Sequence, residues 1–223
     1  MLDNKIWVVI PAYNEAKNIE SVLKELKTVT ANILVVNDGS QDQTRQICRN
    51  LHVNCVSHKV NRGQGAALQT GNELALKLGA QIIVHFDADG QMQVADIEKM
   101  IEPIIKGQAE IVFGSRFLNN NSKIPWTKKY FILKPSRIFN WIFTGIYLTD
   151  SHCGFRALSK KAASQIKITQ DGMAHPTEIL EQVKYFKLPY TEVPVTIRYN
   201  HYGQGFSGGI KILKNLILSR ILK

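Results

Sequence analysis

The chain of 223 residues has only three cysteines, Cys48, Cys55 and Cys153, and no Cys-x-x-Cys pair. An odd count without such pairs argues against a disulfide framework and indicates reduced thiols in a cytosolic protein. His52 and His58 lie close to the first two cysteines in the sequence. Their spacing matches no standard zinc pattern, so we expect a helix end that runs into a strand rather than a zinc site.

Long apolar runs are also missing. The first apolar run begins only at Ile6 and is ended by Pro11, which does not fit an N-terminal signal peptide. No stretch reaches the roughly 18 apolar residues that a membrane-spanning helix needs. We therefore expect a protein that is soluble or binds a membrane only at its surface.

Acidic residues are scarce in the second half of the chain. Residues 112–223 contain 17 Lys and Arg against 5 Asp and Glu, a net charge of +12, whereas residues 1–111 contain 11 against 13, a net charge of −2. The second half therefore suits an anionic partner such as a phosphate, an anionic membrane surface or a nucleic acid. No nucleic-acid-binding motif is present, so we expect no nucleic-acid partner.

The first half alternates short β-branched runs with helical patterns. Strands are predicted at 6–10, 33–37, 53–57, 81–87 and 110–114, and helices at 16–28, 42–51, 65–78 and 94–106. This alternation is typical of βαβ units and a parallel sheet. We predict an α/β fold with a mostly parallel sheet flanked by helices, as one domain over residues 1–223.

The second half is less regular. We predict helices at 136–148 and 176–186, strands at 153–158 and 191–199, and a basic amphipathic C-terminal helix near 210–223. Aromatic and leucine side chains beside cations are typical of helices that lie on a membrane interface. The alternative, that these helices only close the core of a soluble protein, also fits the pattern.

Polar loops follow four of the predicted strands: residues 11–15 (PAYNE), 38–40 (DGS), 61–65 (NRGQG) and 87–91 (DADGQ). Parallel sheets bind their ligands at the carboxyl ends of the strands. We therefore predict that these loops form one site.

Asp87 and Asp89 are carboxylates one residue apart at the end of an apolar strand. Hard oxygen ligands suit Mg²⁺ or Mn²⁺ rather than zinc. An EF-hand fits poorly, because the glycine stands at loop position 4 instead of 6 and a strand flanks the loop. A solvated loop without a function is the other alternative.

Six motifs resemble family 2 glycosyltransferases of the GT-A fold, in the branch of dolichyl-phosphate mannose synthase and bacterial polyprenyl-phosphate hexosyltransferases. They are residues 8–15 (VVIPAYNE), 35–40 (VVNDGS), 63–71 (GQGAALQTG), 86–91 (FDADGQ), 114–116 (GSR) and 150–156 (DSHCGFR). The resemblance extends over residues 6–199. It implies an inverting transferase that uses a nucleotide-sugar donor.

The resemblance also implies roles for individual residues. Donor-binding residues would be Pro11, Tyr13, Glu15, Asp38, Gly65, Asp87, Ala88, Asp150 and Arg156, with the first four on the nucleoside and the last two around the sugar. Asp87, Asp89 and Gln91 would hold Mg²⁺ or Mn²⁺ with the donor diphosphate. Asp89, Arg116 and Arg137 would act in catalysis, and Arg137 and Arg198 would hold the acceptor.

Three residues depart from the family pattern. Asn37 stands where an aspartate is usual, Gln64 where a lysine is common, and His152 where a glutamine is usual. The first two leave the choice between a UDP- and a GDP-sugar open, and the third leaves the sugar open.

The acceptor decides which other groups are needed. A phosphate monoester is largely a dianion at neutral pH and needs cations but no base. A sugar hydroxyl needs a general base, for which Glu178 or Asp150 could serve. The basic second half favours the phosphate. We therefore predict a polyprenyl phosphate, undecaprenyl phosphate in a bacterium, as the acceptor. The enzyme would act on the cytoplasmic membrane face, and a homo-oligomer and a small membrane-protein partner are both open alternatives.

Overall fold

A computed structural model describes residues 2–3, 5–118, 145–172 and 174–198 of the chain. Most of the predicted helix at 136–148, the C-terminal helix near 210–223 and Arg137 lie outside these residues. Residues 145–148 are described and are not helical, so that end of the predicted helix is wrong. The extent of the domain, residues 1–223, stays a prediction.

Within the part of the chain that the structure describes, seven strands form one mixed sheet with the order β3-β2-β1-β4-β6-β5-β7. Their bounds are β1 (Ile6–Ala12), β2 (Ile33–Asn37), β3 (Asn54–Ser57), β4 (Ile82–His85), β5 (Ile111–Ser115), β6 (Arg156–Ser159) and β7 (Tyr190–Pro194). β1 pairs in parallel with β2 and β4, β2 with β3, and β5 with β7. Only β6 is antiparallel to both of its neighbours. The sheet is therefore mostly parallel, as predicted.

In the described residues, six α-helices cover the two faces of the sheet. They are α1 (Ile19–Leu26), α2 (Thr44–Asn50), α3 (Gln64–Lys77), α4 (Ile97–Ile105), α5 (Lys160–Gln165) and α6 (His175–Tyr185), and a 3₁₀ turn (Val94–Asp96) precedes α4. The five helices predicted within the described residues are present; α1, α2 and α4 are shorter than predicted, whereas α3 and α6 begin and end one residue earlier. α5 was missed; Ser159 caps it by accepting a hydrogen bond of 3.1 Å from the Ala162 N–H.

Alternate residues of the central strands enter two separate cores. In β1, Val8 packs into the core under α1 and α4, whereas Val9 packs into the core under α3, α5 and α6. Side chains of a strand point alternately to its two faces, so a strand covered on both faces is apolar throughout. α1 buries Ile19, Val22, Leu23 and Leu26, the spacing of one helix face. This packing fixes the strands whose carboxyl ends carry the polar loops.

Candidate functional site

The carboxyl ends of β1, β2 and β4 meet at a cleft of about 390 Å³. The residues that line it are Pro11, Ala12, Tyr13, Glu15, Asp38, Asn61, Gln64, Ala67, Asp87, Ala88 and Asp89. All four predicted polar loops contribute to this list. Seven of the predicted site residues therefore lie in one cleft, because parallel strands bring their carboxyl ends to the same edge of a sheet.

Two neighbouring carboxyl groups in the cleft are energetically unfavourable as anions. Burial raises the pKa of Asp87 to about 7, and the charge of Asp89 adds to this effect. Burial also raises the pKa of Asp89. The pKa of Glu15 is raised by burial and further by the charge of Asp89. Groups with such shifts gain most from a bound cation, which replaces lost hydration and cancels repulsion.

The ligand set fits a hard divalent cation in part. Among the described residues, no group of three or more His, Cys, Asp or Glu side chains could hold a metal ion by itself. Asp87 and Asp89 would therefore supply two carboxylates, with the remaining positions left to Gln91, donor phosphates or water. Mg²⁺ is usually bound in this way, by one or two carboxylates with phosphates and water.

The loop that carries Asp89 is closed by backbone contacts. The Gln91 N–H donates a hydrogen bond of 3.0 Å to Asp89 Oδ1, which stabilises the turn after Ala88. The Gln91 carbonyl accepts a hydrogen bond of 2.8 Å from the Arg198 N–H. This contact places the backbone of Arg198 beside the predicted metal loop, although the side chain of Arg198 does not line the cleft.

Asp38 organises the third loop. It is 3% exposed, and its carboxylate accepts hydrogen bonds from the Arg62 N–H at 2.9 Å and the Gly63 N–H at 2.7 Å. His58 Nδ1 lies 2.7 Å from Asp38 Oδ1, and its Nε2 lies 2.9 Å from Thr70 Oγ1. Asp38 thus fixes the shape of the loop that enters α3. Its predicted contact with a nucleoside stays a prediction.

Asn37, the first departure from the family pattern, also has a local structural contact set. Its Nδ2 donates to Ser57 Oγ at 3.1 Å, and its Oδ1 accepts from the Ser40 N–H at 3.2 Å. An amide can both donate and accept, whereas an ionised carboxylate can only accept. The asparagine therefore links the end of β3 to the turn after β2.

The glycine loop before α3 is packed against residues 169–171. A Cβ atom on Gly65 would lie 2.0 Å from the carbonyl oxygen of Gln170, and one on Gly63 would lie 2.3 Å from that of Asp171. The Gly65 N–H donates to the Asp171 carbonyl at 2.9 Å. Gly65 is therefore required for close backbone approach.

Glu178 on α6 holds this packed segment. Its carboxylate accepts hydrogen bonds from the N–H of Thr169 at 3.0 Å, the N–H of Gln170 at 3.0 Å, and the hydroxyl of Thr169. From the sequence, Glu178 was a candidate general base. Its structural contacts could not be found from the sequence, because residues 169–170 carry no recognisable motif.

Arg116 and Asp150 form a bidentate ion pair at the end of β5. Arg116 Nε lies 2.5 Å from Asp150 Oδ2, and Nη2 lies 2.7 Å from Oδ1. The Arg116 N–H also donates to Oδ2 at 3.1 Å. Asp150 is 2% exposed, so its charge is neutralised by Arg116. The two predicted residues are thus brought together, outside the lining of the cleft.

Arg156 lies under the cleft and is 1% exposed. In the sheet, Arg156 on β6 lies opposite His85 on β4. Its charge lowers the pKa of Asp87. Within the described residues, its Nε and Nη1 atoms have no hydrogen-bond partner. Burial lowers the pKa of nearby His152 and His175, which favours their neutral forms. Arg156 therefore supplies the buried positive charge beneath Asp87.

A second cavity of about 390 Å³ adjoins the cleft and shares Tyr13 and Asn61 with it. Its other lining residues are Asn37, Gly39, Ser40, Gln41, Arg45, Ser57, His58, Lys59 and Val60. Sequence reasoning missed Arg45 and Lys59, since isolated surface cations on a helix and a loop give no motif. The two cavities together extend over the carboxyl ends of β1 to β4.

Comparison with known proteins bears on this arrangement. Residues 7–167 match the model of the family described as Glycosyl transferase family 2. The chain is 36% identical over 249 residues to UDP-N-acetylglucosamine–dolichyl-phosphate N-acetylglucosaminyltransferase of Methanococcus voltae, covering 100% of this chain and 99% of the relative. It is 26% identical to undecaprenyl-phosphate mannosyltransferase of Micrococcus luteus, covering 92% of this chain and 89% of the relative.

A solved structure shares the fold. It is glucosyl-3-phosphoglycerate synthase from Mycobacterium tuberculosis in complex with Mn²⁺ and UDP-glucose, with a TM-score of 0.75 and 20% sequence identity. The match covers 96% of this chain and 76% of that one.

Proposed function

The chain belongs to glycosyltransferase family 2 and is a nucleotide-sugar-dependent glycosyltransferase of the GT-A fold, and we propose that it transfers a hexose to a polyprenyl phosphate. The observation that carries this proposal is the full-length similarity to the Methanococcus voltae enzyme, whose name states both a UDP-sugar donor and a lipid-phosphate acceptor. The donor here is a UDP- or GDP-sugar. Transfer inverts the anomeric carbon, because the acceptor attacks opposite the leaving nucleoside diphosphate.

The donor site is the cleft at the ends of β1, β2 and β4. Pro11, Tyr13 and Glu15 line it together with Asp38, and we assign these residues to the nucleoside. Asp87, Asp89 and Gln91 would hold Mg²⁺ or Mn²⁺, which acts as a Lewis acid for the charge on the leaving diphosphate. The neighbouring structure with Mn²⁺ and UDP-glucose supports this use of the fold.

The residues beyond the cleft complete the proposal. Ala88 lines the cleft, and we assign it to the donor together with Gly65, which follows the cleft residue Gln64 in the first turn of α3. Asp150 fixes Arg116, and Arg116 would contribute charge-assisted hydrogen bonds to a phosphate. Arg156 would shape the sugar pocket from below.

A phosphate acceptor also agrees with the state of the two acids considered as bases. Asp150 is paired with Arg116, and Glu178 accepts three hydrogen bonds from residues 169–170. Acids engaged in this way are poor candidates for a base that must accept a proton from a sugar hydroxyl. A phosphate dianion needs only cations, which Arg198 and Arg137 would provide.

We further propose that the enzyme works peripherally on the cytoplasmic face of a membrane. None of the helices in the described part of the chain is long and apolar enough to cross a bilayer. Residues 112–223 carry the net charge of +12, and Lys and Arg near an anionic surface contribute about 1 kcal/mol each. A small membrane-protein partner and self-association are both compatible with this form of attachment.

The test uses purified full-length protein with a labelled UDP- or GDP-sugar, Mn²⁺ and either dolichyl or undecaprenyl phosphate. We expect label to enter the organic phase and to be released by mild acid, as from a sugar–phosphate ester. Arg137→Ala should reduce transfer more than donor binding, whereas Arg49→Ala, a change to an exposed arginine on α2, should leave both unchanged. Label found only on sugar or glycan hydroxyls would establish the hydroxyl acceptor instead.

A further inference from the structure

We propose that Glu192 is a positioning residue, which orients Arg116 for the phosphates through residues 149–150 and the carboxylate of Asp150. The proposal rests on the proposed function only for the identity of the phosphates. Glu192 lies on β7, the edge strand of the sheet, and belongs to none of the six motifs. The contacts of its carboxylate give it this role.

Glu192 is bonded to two consecutive backbone amides. Its Oε2 lies 2.8 Å from the Thr149 nitrogen, and its Oε1 lies 3.1 Å from the Asp150 nitrogen. Oε1 also accepts from the Thr149 hydroxyl at 2.8 Å. Hydrogen bonds to an ionised acceptor are about twice as strong as neutral ones. One side chain therefore fixes a segment that is more than 40 residues away in sequence.

The fixed segment carries the acid that holds Arg116. Asp150 accepts three hydrogen bonds from Arg116, one from the backbone and two from the guanidinium. A second link runs from the Thr149 hydroxyl to Ser115 Oγ, 2.6 Å away, immediately before Arg116. The direction of the guanidinium thus depends on where residues 149–150 are held.

Sheet geometry explains why a residue of β7 acts on the end of β5. The two strands run parallel, with Glu192 opposite Phe113 and Pro194 opposite Ser115. Glu192 therefore lies level with a residue two positions before the carboxyl end of β5. Its long side chain reaches residues 149–150, which pass beside it. A shorter side chain at this position would not reach the two amides, and a neutral one could not accept hydrogen bonds from both through two oxygens.

Glutamine tests the carboxylate with little change in size. Its NH₂ group would face the N–H of Thr149 or Asp150, so two donors would meet and at least one bond would be lost. We expect Glu192→Gln to lower kcat about tenfold and to change the KM for the donor less than threefold, because the nucleoside contacts lie on other strands. Glu102→Gln, at an exposed glutamate paired with Lys106, is the matched control and should be neutral.

A double-mutant cycle separates positioning from plain stability. If Glu192 acts through Arg116, Glu192→Gln should cost less than twofold in the background of Arg116→Ala. Equal losses in both backgrounds, or full activity of Glu192→Gln, would overturn the proposal. Circular dichroism and thermal melts of each variant show which of them fold, and kinetics are compared for folded protein only.

NMR of the arginine Nε–H groups gives a readout that does not depend on the acceptor. The Arg116 Nε–H, bonded to Asp150, should give a resolved signal that Asp150→Asn removes and Glu192→Gln shifts or broadens. An unchanged Arg116 signal in Glu192→Gln contradicts the positioning role. Absence of transfer to any lipid phosphate by the wild-type protein, with this signal still responding, contradicts the proposed function alone.

Discussion

The side-chain amide of Gln64 donates a hydrogen bond of 3.1 Å to Oδ1 of Asp87. Gln64 is the residue that stands where a lysine is common in the resembling family. A neutral amide stabilises a carboxylate less than an ammonium group would, and burial raises the pKa of Asp87 to about 7. The side-chain cations that favour the ionised form of Asp87 are Arg156 and Arg116, and a bound metal would add to their effect.

The raised pKa predicts how the stability of the metal-free protein depends on pH. The unfolded chain loses the Asp87 proton near pH 3.8, whereas the folded protein keeps it until about pH 7. Stability should therefore decrease as the pH rises through this window, by on the order of 2 kcal/mol between pH 5 and pH 8. Asp87→Asn should remove this part of the decrease, so its melting temperature relative to wild type should rise with pH.

The controls for this prediction introduce a lysine at Gln64, which contacts Asp87, and at an exposed glutamine far from it. Gln64→Lys should flatten the decrease, because the added cation favours the ionised Asp87, while Gln46→Lys on the exposed face of α2 should not. Mn²⁺ should raise the melting temperature of wild type more at pH 8 than at pH 5, since proton and metal compete. A melting profile that is the same for wild type and Asp87→Asn would contradict the prediction.

Substitution of Asp89, which we propose as a metal ligand, should abolish turnover and leave the fold intact. Asp89 is part of the cleft, burial raises its pKa, and the Oδ1 of an asparagine can still accept the hydrogen bond from the Gln91 N–H. Asp89→Asn should therefore melt within a few degrees of wild type. Sugar transfer, measured with labelled donor, should be lost in this variant and in wild type with EDTA, and restored to wild type by Mg²⁺ or Mn²⁺.

The matched control is Asp3→Asn, at an exposed aspartate near the beginning of the chain. It should keep full activity and the same dependence on added metal. Wild-type turnover that persists in EDTA would exclude the metal-dependent mechanism.

Much of the fold and the cleft could be predicted from the sequence, for a physical reason. Strands covered on both faces, such as β1 and β2, are apolar throughout, and a polar residue such as Asp38 then marks the carboxyl end. The antiparallel direction of β6 could not be predicted, because a sequence pattern does not report strand direction. The short helix α5 has too few turns to show a helical period.

The contacts that hold the loops were not predictable. Glu192 and Glu178 are single acids, each bonded to backbone amides of a segment that is distant or unpatterned in sequence. A sequence shows the type of such a side chain but not the amide groups that meet it. The same applies to His58, whose bond to Asp38 depends on the pairing of β2 with β3.

Close packing of the glycine loop predicts a large difference between two Gly→Ala changes. Gly65→Ala should destabilise the fold by about 1 to 3 kcal/mol and weaken donor binding, since its Cβ would lie 2.0 Å from the Gln170 carbonyl oxygen. Alanine is otherwise favourable within a helix, so the loss would reflect the clash. Urea unfolding and donor titration measure the two effects.

Gly172→Ala is the control in the same region. A Cβ atom at Gly172 would meet nothing within 4 Å, so this change should alter stability by less than about 0.5 kcal/mol. Similar effects of the two substitutions would show that the approach of residues 169–171 to the loop is not needed.

Glu178 provides the sharpest distinction between the phosphate and hydroxyl acceptors. If its carboxylate holds residues 169–170, which pack on Gly65, then Glu178→Gln should cost about 1 to 2 kcal/mol of stability. The KM for the donor should rise, while kcat at saturating donor should fall less than threefold. A general base would give the opposite result, a loss of about 10² to 10⁴ in kcat with little change in stability.

The experiment measures both parameters for wild type, Glu178→Gln and the control Glu98→Gln, an exposed acid on α4. A cycle with Gly65→Ala adds a second criterion. Because both changes disturb the same contact, their effects on donor binding should be less than additive, whereas a base and a packing residue should act independently. A collapse of kcat in Glu178→Gln with unchanged melting would identify Glu178 as the base and make a hydroxyl group the acceptor.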